Sequence, residues 1–325
     1  LWQRYIKSAL RQRQRLLTYS EPQGEYDLRC ALADYVRERR NVVTAPEHIV
    51  VGAGVQMLLE ILCVLLKGRR TVSFPDGSFV QGSTVFAAHG YTVRTRYKDA
   101  DIIYVSPSHM NRQGDVMPIQ RRLELCAHSA DTGAVVIEDD FENDFLYSST
   151  PTPSLYALGS GNVVYMGAFS ALLLPGIRIS FMVLSPALAA AYHQMKDTFA
   201  QTASKTEQIA LCAYLRDGNM KSRTKKIRRL YTGKAKTLCA LLAKALPDHP
   251  VRVGENGLQV QIETPMLPDS APFEQAGLAL YIVKEKSGKN IVVVSPSAVP
   301  ADRLEEAAHA VVAALYKAEE AAKAK

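Results

Sequence analysis

Between Ile49 and Leu184 the chain alternates short apolar runs with longer stretches of helical periodicity. The runs are His48 to Val51, Thr71 to Phe74, Thr92 to Tyr97, Ile102 to Val105, Ala134 to Ile137, Asn162 to Met166 and Ile177 to Leu184. Runs this short, bounded by glycine, proline or acidic turns, read as strands. Helical segments stand between several of them, at Val55 to Lys67, Val80 to His89 and Ile119 to His128. Strands alternating with helices predict a mostly parallel sheet covered on both faces, an α/β class fold.

The flanks read differently. Residues 1 to 16 form a basic helix and Gly24 to Arg40 a second one. After Leu188 a long helical stretch runs to about Leu246, followed by short strands at Gly257 to Ile262, Leu278 to Val283 and Asn290 to Val294, and an Ala-rich helix from Ala301. The expected organisation is an N-terminal helical segment over 1–45, a large domain over 46–190 and a smaller α+β domain over 191–325. One joint is anomalous: Tyr97 to Asp101 is too short for the helix that a parallel crossover normally carries. A hairpin edge, or a segment missing between the strands, would explain it. The second is favoured, because both flanking strands read as buried.

With 47% apolar and 22% charged residues, disordered, collagen-like and coiled-coil classes are excluded. No apolar run is long enough to cross a membrane. The start, Leu1-Trp2-Gln3-Arg4, matches neither a signal peptide nor a lipidation site, and without an initiating Met it implies part of a longer protein. Five cysteines, an odd number without a CxxC pair, point to buried free thiols in a reducing cytoplasm. Seven histidines lack metal-site spacing. The net charge of +7 is diffuse except at Lys221 to Arg229. A solvated helix face is the favoured reading of that stretch, and a DNA contact the alternative.

Three segments could carry chemistry. Val51-Gly52-Ala53-Gly54-Val55-Gln56 is strand, glycine turn and helix start, a natural phosphate seat but also a common structural turn. Glu138-Asp139-Asp140 follows an apolar strand at its carboxyl end, where open α/β sheets bind ligands. It reads either as a solvated acidic turn or as a site for a cationic ring nitrogen or metal. Arg178, between Ile177 and Ile179, needs an anionic partner, either a structural carboxylate or a ligand phosphate.

In order, Gly24-Glu25-Tyr26-Asp27-Leu28-Arg29, Gly52 to Gln56, Tyr104-Val105-Ser106-Pro107-Ser108-His109, Ile137 to Phe141 and Gly167 to Arg178 closely resemble one family. It is the aminotransferase-like domain of the MocR/GabR branch of GntR-type bacterial transcription regulators. The resemblance covers nearly the whole chain and weakens after Gly257. It implies a fold-type-I aminotransferase-like domain that binds pyridoxal 5'-phosphate and sits behind an N-terminal winged helix-turn-helix, which this chain lacks. It also implies a homodimer, a small-molecule effector, DNA contact only through the absent domain, and no membrane. By the same resemblance, Asp139 faces the pyridinium nitrogen and Phe79 stacks on the ring. Gly54, Val55, Gln56, Ser170 and Arg178 hold the phosphate. Asn111 lies near the 3-hydroxyl, and Tyr26 reaches the partner subunit's site.

Departures from the family pattern bear on activity. The Schiff-base lysine position is Ala171, the Tyr that faces the 3-hydroxyl is Phe141, Gln81 stands where a relative has a carboxylate-binding Arg, and Val292 to Ala298 contains no basic residue. A transaminase needs the lysine as anchor and as base. The expectation is a regulator's sensing domain without turnover, binding pyridoxal phosphate or a cofactor–amine adduct non-covalently. An aminotransferase studied as a lysine-to-alanine variant, or a degenerate domain for another ligand, are the alternatives. Lys205 is the other lysine to check, with a surface helix role favoured.

Overall fold

A computed structural model describes residues 1–110, 115–140, 153–159, 161–265, 268–284 and 288–323. Its described residues divide into two compact units. The first lies within 1–107, 117–140 and 153–223; the second takes 224–323 with 108–110 and 115–116.

The first unit is built on β1 (Ile49–Gly52), β2 (Thr71–Phe74), β3 (Thr92–Thr95), β4 (Ile102–Val105), β5 (Val135–Asp139), β6 (Val163–Ala168) and β7 (Ser180–Val183). They form one sheet in the order β1-β7-β6-β5-β4-β2-β3. All neighbours are parallel except β7, which runs antiparallel to both β1 and β6. Reversal of that single strand brings the ends of β1, β4, β5 and β6 to one edge. Helices α1 (Trp2–Leu10), α2 (Arg13–Leu16), α3 (Tyr26–Arg40), α4 (Val55–Leu65), α5 (Val80–Ala88), α6 (Ile119–Thr132), α7 (Leu155–Leu158), α8 (Pro186–Met195) and α9 (Lys205–Arg216) belong to this unit. The sequence reads one long helical stretch after Leu188. The chain instead breaks it at 196–204 and at Asp217-Gly218 before α10 (Asn219–Ala245).

Strand alternation sorts the core. Val50, Val72, Phe74, Ile102, Tyr104, Val135, Ile137, Val164, Met166 and Met182 pack on one side against Leu58, Leu59 and Leu62 of α4, Phe86 of α5 and Tyr192 of α8. Val136 and Val163 face the other way, onto Leu125 and Cys126 of α6 and Leu155 of α7. Successive strand side chains point to opposite faces, so the side of each residue follows from its parity.

The joint at 97–101 is not a hairpin: β3 and β4 are both parallel to β2 and lie on either side of it. β3 is also largely exposed, against the expectation of burial. Arg96 turns the chain at φ 52°, and its N–H donates to Phe74 O at 2.9 Å. Tyr97 N–H then donates to Ser73 Oγ, and Asp101 N–H to Thr71 Oγ1, each at 2.9 Å. The link therefore runs back along β2. Two strand spacings and the two-residue offset from Phe74 back to Val72 need roughly 12 Å, well within the about 20 Å that six extended residues reach. Asp101 anchors the far end. Its carboxylate accepts from the N–H groups of Arg70 and Thr71, which hold it below the usual carboxylate range against the effect of burial.

The second unit has β8 (Val251–Val253), β9 (Val260–Thr264), β10 (Tyr281–Lys284) and β11 (Asn290–Val294) in an antiparallel sheet ordered β10-β11-β9-β8. Most of α10, α11 (Ala271–Gln275) and α12 (Leu304–Lys323) belong to it. Leu238 and Leu242, Val260 and Ile262, Phe273, and Val311 and Leu315 share its core. Among the described residues no helix is long and apolar enough to cross a membrane. All five cysteines are free thiols, with Cys63, Cys126 and Cys212 buried.

Candidate functional site

The glycine turn of β1 sets one end of the site. Gly54 sits at φ 96°, and a Cβ there would come within 2.5 Å of Arg178 Nη2. Only glycine permits both the backbone and the close approach of the guanidinium. Arg178 itself adopts the left-handed conformation at φ 52°, after the short 3-10 turn Pro175–Ile177. Gly54 provides no capping side chain for α4. Ala53 N–H donates to Thr202 Oγ1 at 2.9 Å and Gly54 N–H to Gly52 O at 3.0 Å. The first N–H groups of α4 itself, from Val55 and Gln56, have no partner within the helix. They point, with the positive end of the helix dipole, to the side where Arg178 lies.

The acidic run sets the other end, and the solvated-turn reading is overturned. Glu138, Asp139 and Asp140 are 0%, 7% and 8% exposed. Glu138 and Asp139 lie within β5 rather than after it. Parity then divides the three.

Asp139 follows Ile137 onto the α4 side, where the Tyr104 hydroxyl donates to its carboxylate. Burial, then the neighbouring Asp139 carboxylate, push the Tyr104 hydroxyl well above its usual pKa, so it remains a neutral donor. The Phe79 ring lies 5.3 Å from that of Tyr104, and Phe74 stands 5.0 Å from Tyr104 and 6.4 Å from Phe79, closing a triangle of rings. Phe79 is seated over Gly82, where a Cβ would meet its ring at 2.2 Å. Tyr104 is thus the hinge of the group, a residue that the sequence reading quotes in a motif but gives no role. Replacing Tyr104 with Phe is expected to cost about 1–3 kcal/mol, because a buried carboxylate loses a donor. Urea unfolding at neutral pH measures it, and an unchanged midpoint would refute the role.

Glu138 and Asp140 face the α6 side and meet a cation. Arg40, the last residue of α3, donates from Nε to Asp140 Oδ2 at 2.5 Å, and its Nη2 lies 3.8 Å from Glu138 Oε1. Tyr165 donates to Asp140 at 2.8 Å, and Tyr156 N–H to Glu138 at 3.1 Å. Burial works against the Arg40 charge, yet Asp140, Tyr165 and Glu138 hold its pKa above the ordinary arginine value. Burial, then Asp140, push Glu138 up to about 7.

The loop after β6 carries Ser170, half-buried, and Ala171, exposed. Arg223 ties this loop down, donating to the carbonyls of Leu172 at 3.1 Å and Leu173 at 3.4 Å. Lys205 is engaged elsewhere: its Nζ donates to Thr18 O and Oγ1 at 2.9 Å and to Tyr19 O at 3.2 Å, with Glu25 Oε1 at 3.6 Å. Tyr26 is half exposed on α3, its ring under the Arg29 guanidinium. Its described contacts tie it to its own helix rather than to the Phe79–Tyr104–Asp139 group. Asn111 and Phe141 lie outside the described residues.

Comparisons with known proteins fit this architecture. Residues 2–302 match the family model "Aminotransferase class I and II". The chain is 30% identical over 288 residues to the uncharacterized HTH-type transcriptional regulator YdeL of Bacillus subtilis (strain 168), covering 84% of this chain and 60% of that protein. It is 28% identical over 277 residues to the probable rhizopine catabolism regulatory protein MocR of Rhizobium meliloti, covering 80% of this chain and 56% of that protein. The chain therefore spans little more than half the length of these curated relatives. An archaeal alanine:glyoxylate aminotransferase superposes with a TM-score of 0.82 at 20% identity, over 97% of this chain and 86% of that one, and so shares the fold. With a fold-type-I sheet, a family match over nearly its whole length and transcription regulators among its relatives, the chain belongs to the class I and II aminotransferase family, on the branch that resembles the aminotransferase-like region of MocR-type regulators.

Proposed function

We propose that the chain is the effector-sensing and dimerisation domain of a MocR-type transcription regulator, holding pyridoxal phosphate or its adduct with an amine without a covalent bond. Family membership implies a pyridoxal phosphate site. One observation carries the finer reading. The Arg178 guanidinium fills the space above Gly54 at the start of α4, while the loop between β6 and Arg178 bears alanine at 171. A cation held against a helix N-terminus fits a dianion. The residues present also fit the ring: a buried carboxylate at Asp139 for its nitrogen, and the Phe79 face for stacking.

In this reading Val55, Gln56, Ser170 and Arg178 hold the phosphate. Asp139, fixed by Tyr104, keeps a proton on the ring nitrogen. Asn111 and Phe141 keep the places near the 3-hydroxyl that the resemblance gives them. Bound pyridoxal phosphate supplies an electron sink for a substrate amine. Ala171 can neither anchor it nor move a proton, and the donors of Lys205 are taken up by Thr18 and Tyr19. Tyr26, exposed at the start of α3, is placed to meet a second copy. DNA is read by a domain outside this chain.

The test is spectroscopic. The unaltered protein is expected to bind pyridoxal phosphate saturably and to keep none after borohydride reduction and denaturation. Ala171→Lys is expected to retain it covalently, at residue 171 by mass spectrometry. Failure of the unaltered protein to bind, or covalent labelling of one of its own lysines, refutes the reading. Amine turnover restored by Ala171→Lys would favour an aminotransferase instead.

A further inference from the structure

The segment 196–204, between α8 and α9, is fastened to the β1 turn by its side chains. Gln201 Nε2 donates to Val51 O and to Pro22 O, each at 3.0 Å, and its Oε1 accepts from Ala203 N–H at 2.7 Å. Phe199 stacks on Tyr192 of α8, with ring centres 5.4 Å apart and planes within 4° of parallel. Ala203 is buried. Thr202, between these fixed residues, is exposed. With both neighbours held, its Oγ1 is kept against Ala53 N–H at 2.9 Å.

The direction of that bond decides what the hydroxyl can still do. Other exposed hydroxyls of the chain donate back to a carbonyl of the preceding turn, Thr132 to His128 O, Thr198 to Met195 O and Ser222 to Asn219 O. Thr202 accepts instead, and among the described residues its hydroxyl proton has no acceptor. A hydroxyl that has taken up one N–H still carries a proton to give. The donors at the turn are then counted differently. Ala53 N–H is consumed by Thr202 and Gly54 N–H by Gly52 O. What stays open is the N–H of Val55, the N–H of Gln56 and the Thr202 O–H. Ala53 N and Val55 N are two residues apart, at most about 7 Å. The hydroxyl therefore stands beside the end of α4 where Arg178 lies over Gly54. An O–H polarised by an N–H behind it makes a stronger bond to an anion, and a donor fixed in advance costs little ordering on binding.

We propose that Thr202 is a further ligand of the phosphate: its O–H donates to the phosphate of pyridoxal phosphate while its oxygen keeps the Ala53 N–H. A residue 149 positions beyond the turn thereby completes the anion seat. This rests on the function proposed above and adds to it a binding group from the segment before α9. No proton changes hands, since the hydroxyl stays neutral and the phosphate keeps its charge.

The test titrates the 325-residue chain with pyridoxal phosphate, then displaces it with inorganic phosphate or with pyridoxal, which lacks the phosphate. Thr202→Val replaces the hydroxyl by a methyl group. It is expected to weaken pyridoxal phosphate and inorganic phosphate by the same factor, about tenfold to thirtyfold, the worth of one hydrogen bond to a charged acceptor. Pyridoxal is expected to bind this variant as it binds the unaltered chain. Thr202→Ser keeps the hydroxyl and is expected to bind both anions nearly as the unaltered chain does. The phosphorus-31 resonance of the bound cofactor is expected to move in Thr202→Val and to stay in Thr202→Ser. Circular dichroism and thermal melting establish that each variant is folded. Equal weakening of pyridoxal would make Thr202 a brace of the turn and overturns the proposal. So does an unchanged affinity, or an unmoved resonance, in Thr202→Val. If the unaltered chain binds no pyridoxal phosphate, this proposal and the proposed function fall together. Saturable binding that is indifferent to residue 202 removes this ligand alone and leaves the proposed function standing.

Discussion

Arg178→Ala is expected to weaken pyridoxal phosphate binding by about a hundredfold. The guanidinium lies where a Cβ of Gly54 would be, at the end of a helix whose first N–H groups have no intrahelical partner. Two or three charge-assisted hydrogen bonds to a phosphate are at stake, about 3 kcal/mol together. Titration by absorbance or by quenching of protein fluorescence gives the dissociation constant. Arg178→Lys is expected to recover part of it, because charge is kept while the planar fork is lost. Because Arg178 is exposed, both variants should melt close to the unaltered protein. A dissociation constant unchanged in Arg178→Ala would remove the phosphate seat from this end of the sheet.

Arg40→Ala is expected to cost about 3–5 kcal/mol of stability, the largest structural effect predicted for this chain. Removing the cation leaves Glu138 and Asp140 buried without compensation. The pH dependence has a definite sign. Burial raises the folded-state pKa of Glu138 from 4.5 to about 7, so the folded protein binds this proton more tightly than the unfolded chain does. Its contribution to stability is therefore fully present below about pH 4.5 and is lost as pH rises through about 7. Arg40 draws the Glu138 pKa down, so without it Glu138 holds its proton to still higher pH. The deficit of Arg40→Ala should accordingly be greater at pH 8 than at pH 5, read from urea midpoints. Glu138→Gln should flatten the slope between those two values. A deficit independent of pH would mean that the lost packing of the arginine stem, and not the buried acids, sets the cost.

The parts of the molecule legible in the sequence are those governed by local periodicity. Strands β1, β2, β4 and β11 lie close to the apolar runs, and the helix after Gly54 begins at the residue the turn predicts. What escaped depends on pairing over distance. Val251–Val253 is a strand because β9 lies beside it, not because three residues declare one. The break at 196–204 is tertiary: Gln201 and Thr202 reach the β1 turn, through Val51 O and Ala53 N–H, whereas that at 217–218 is a local stop at Gly218, φ 69°.

In the site, the chemistry of a cation in apolar surroundings singles out Arg178, whereas Asp139 is picked from the acidic triplet by the resemblance. The roles of Glu138 and Asp140 are not legible there, because an acidic triplet beyond a strand looks solvated until the strand is known to extend through it. A signal for Arg40 was nevertheless present. Leu28, Leu32, Val36 and Arg40 recur at intervals of four and are all buried, so the arginine continues an apolar stripe inward. Tyr104 could have been found by the same parity that places Asp139, once the pairing of β4 with β5 is given.

The short link from β3 to β4 has a mechanical consequence. β3 is the outermost strand of the large sheet and mostly exposed, the position from which strands are usually exchanged between molecules or recruited into fibrils. Its tether is fastened along β2 at Phe74, Ser73 and Thr71. Drawing β3 away from the sheet must therefore break these bonds as well as the strand pairing. A leash pinned along its neighbour protects this edge from swapping, and removing the Ser73 or Thr71 hydroxyl would loosen that protection.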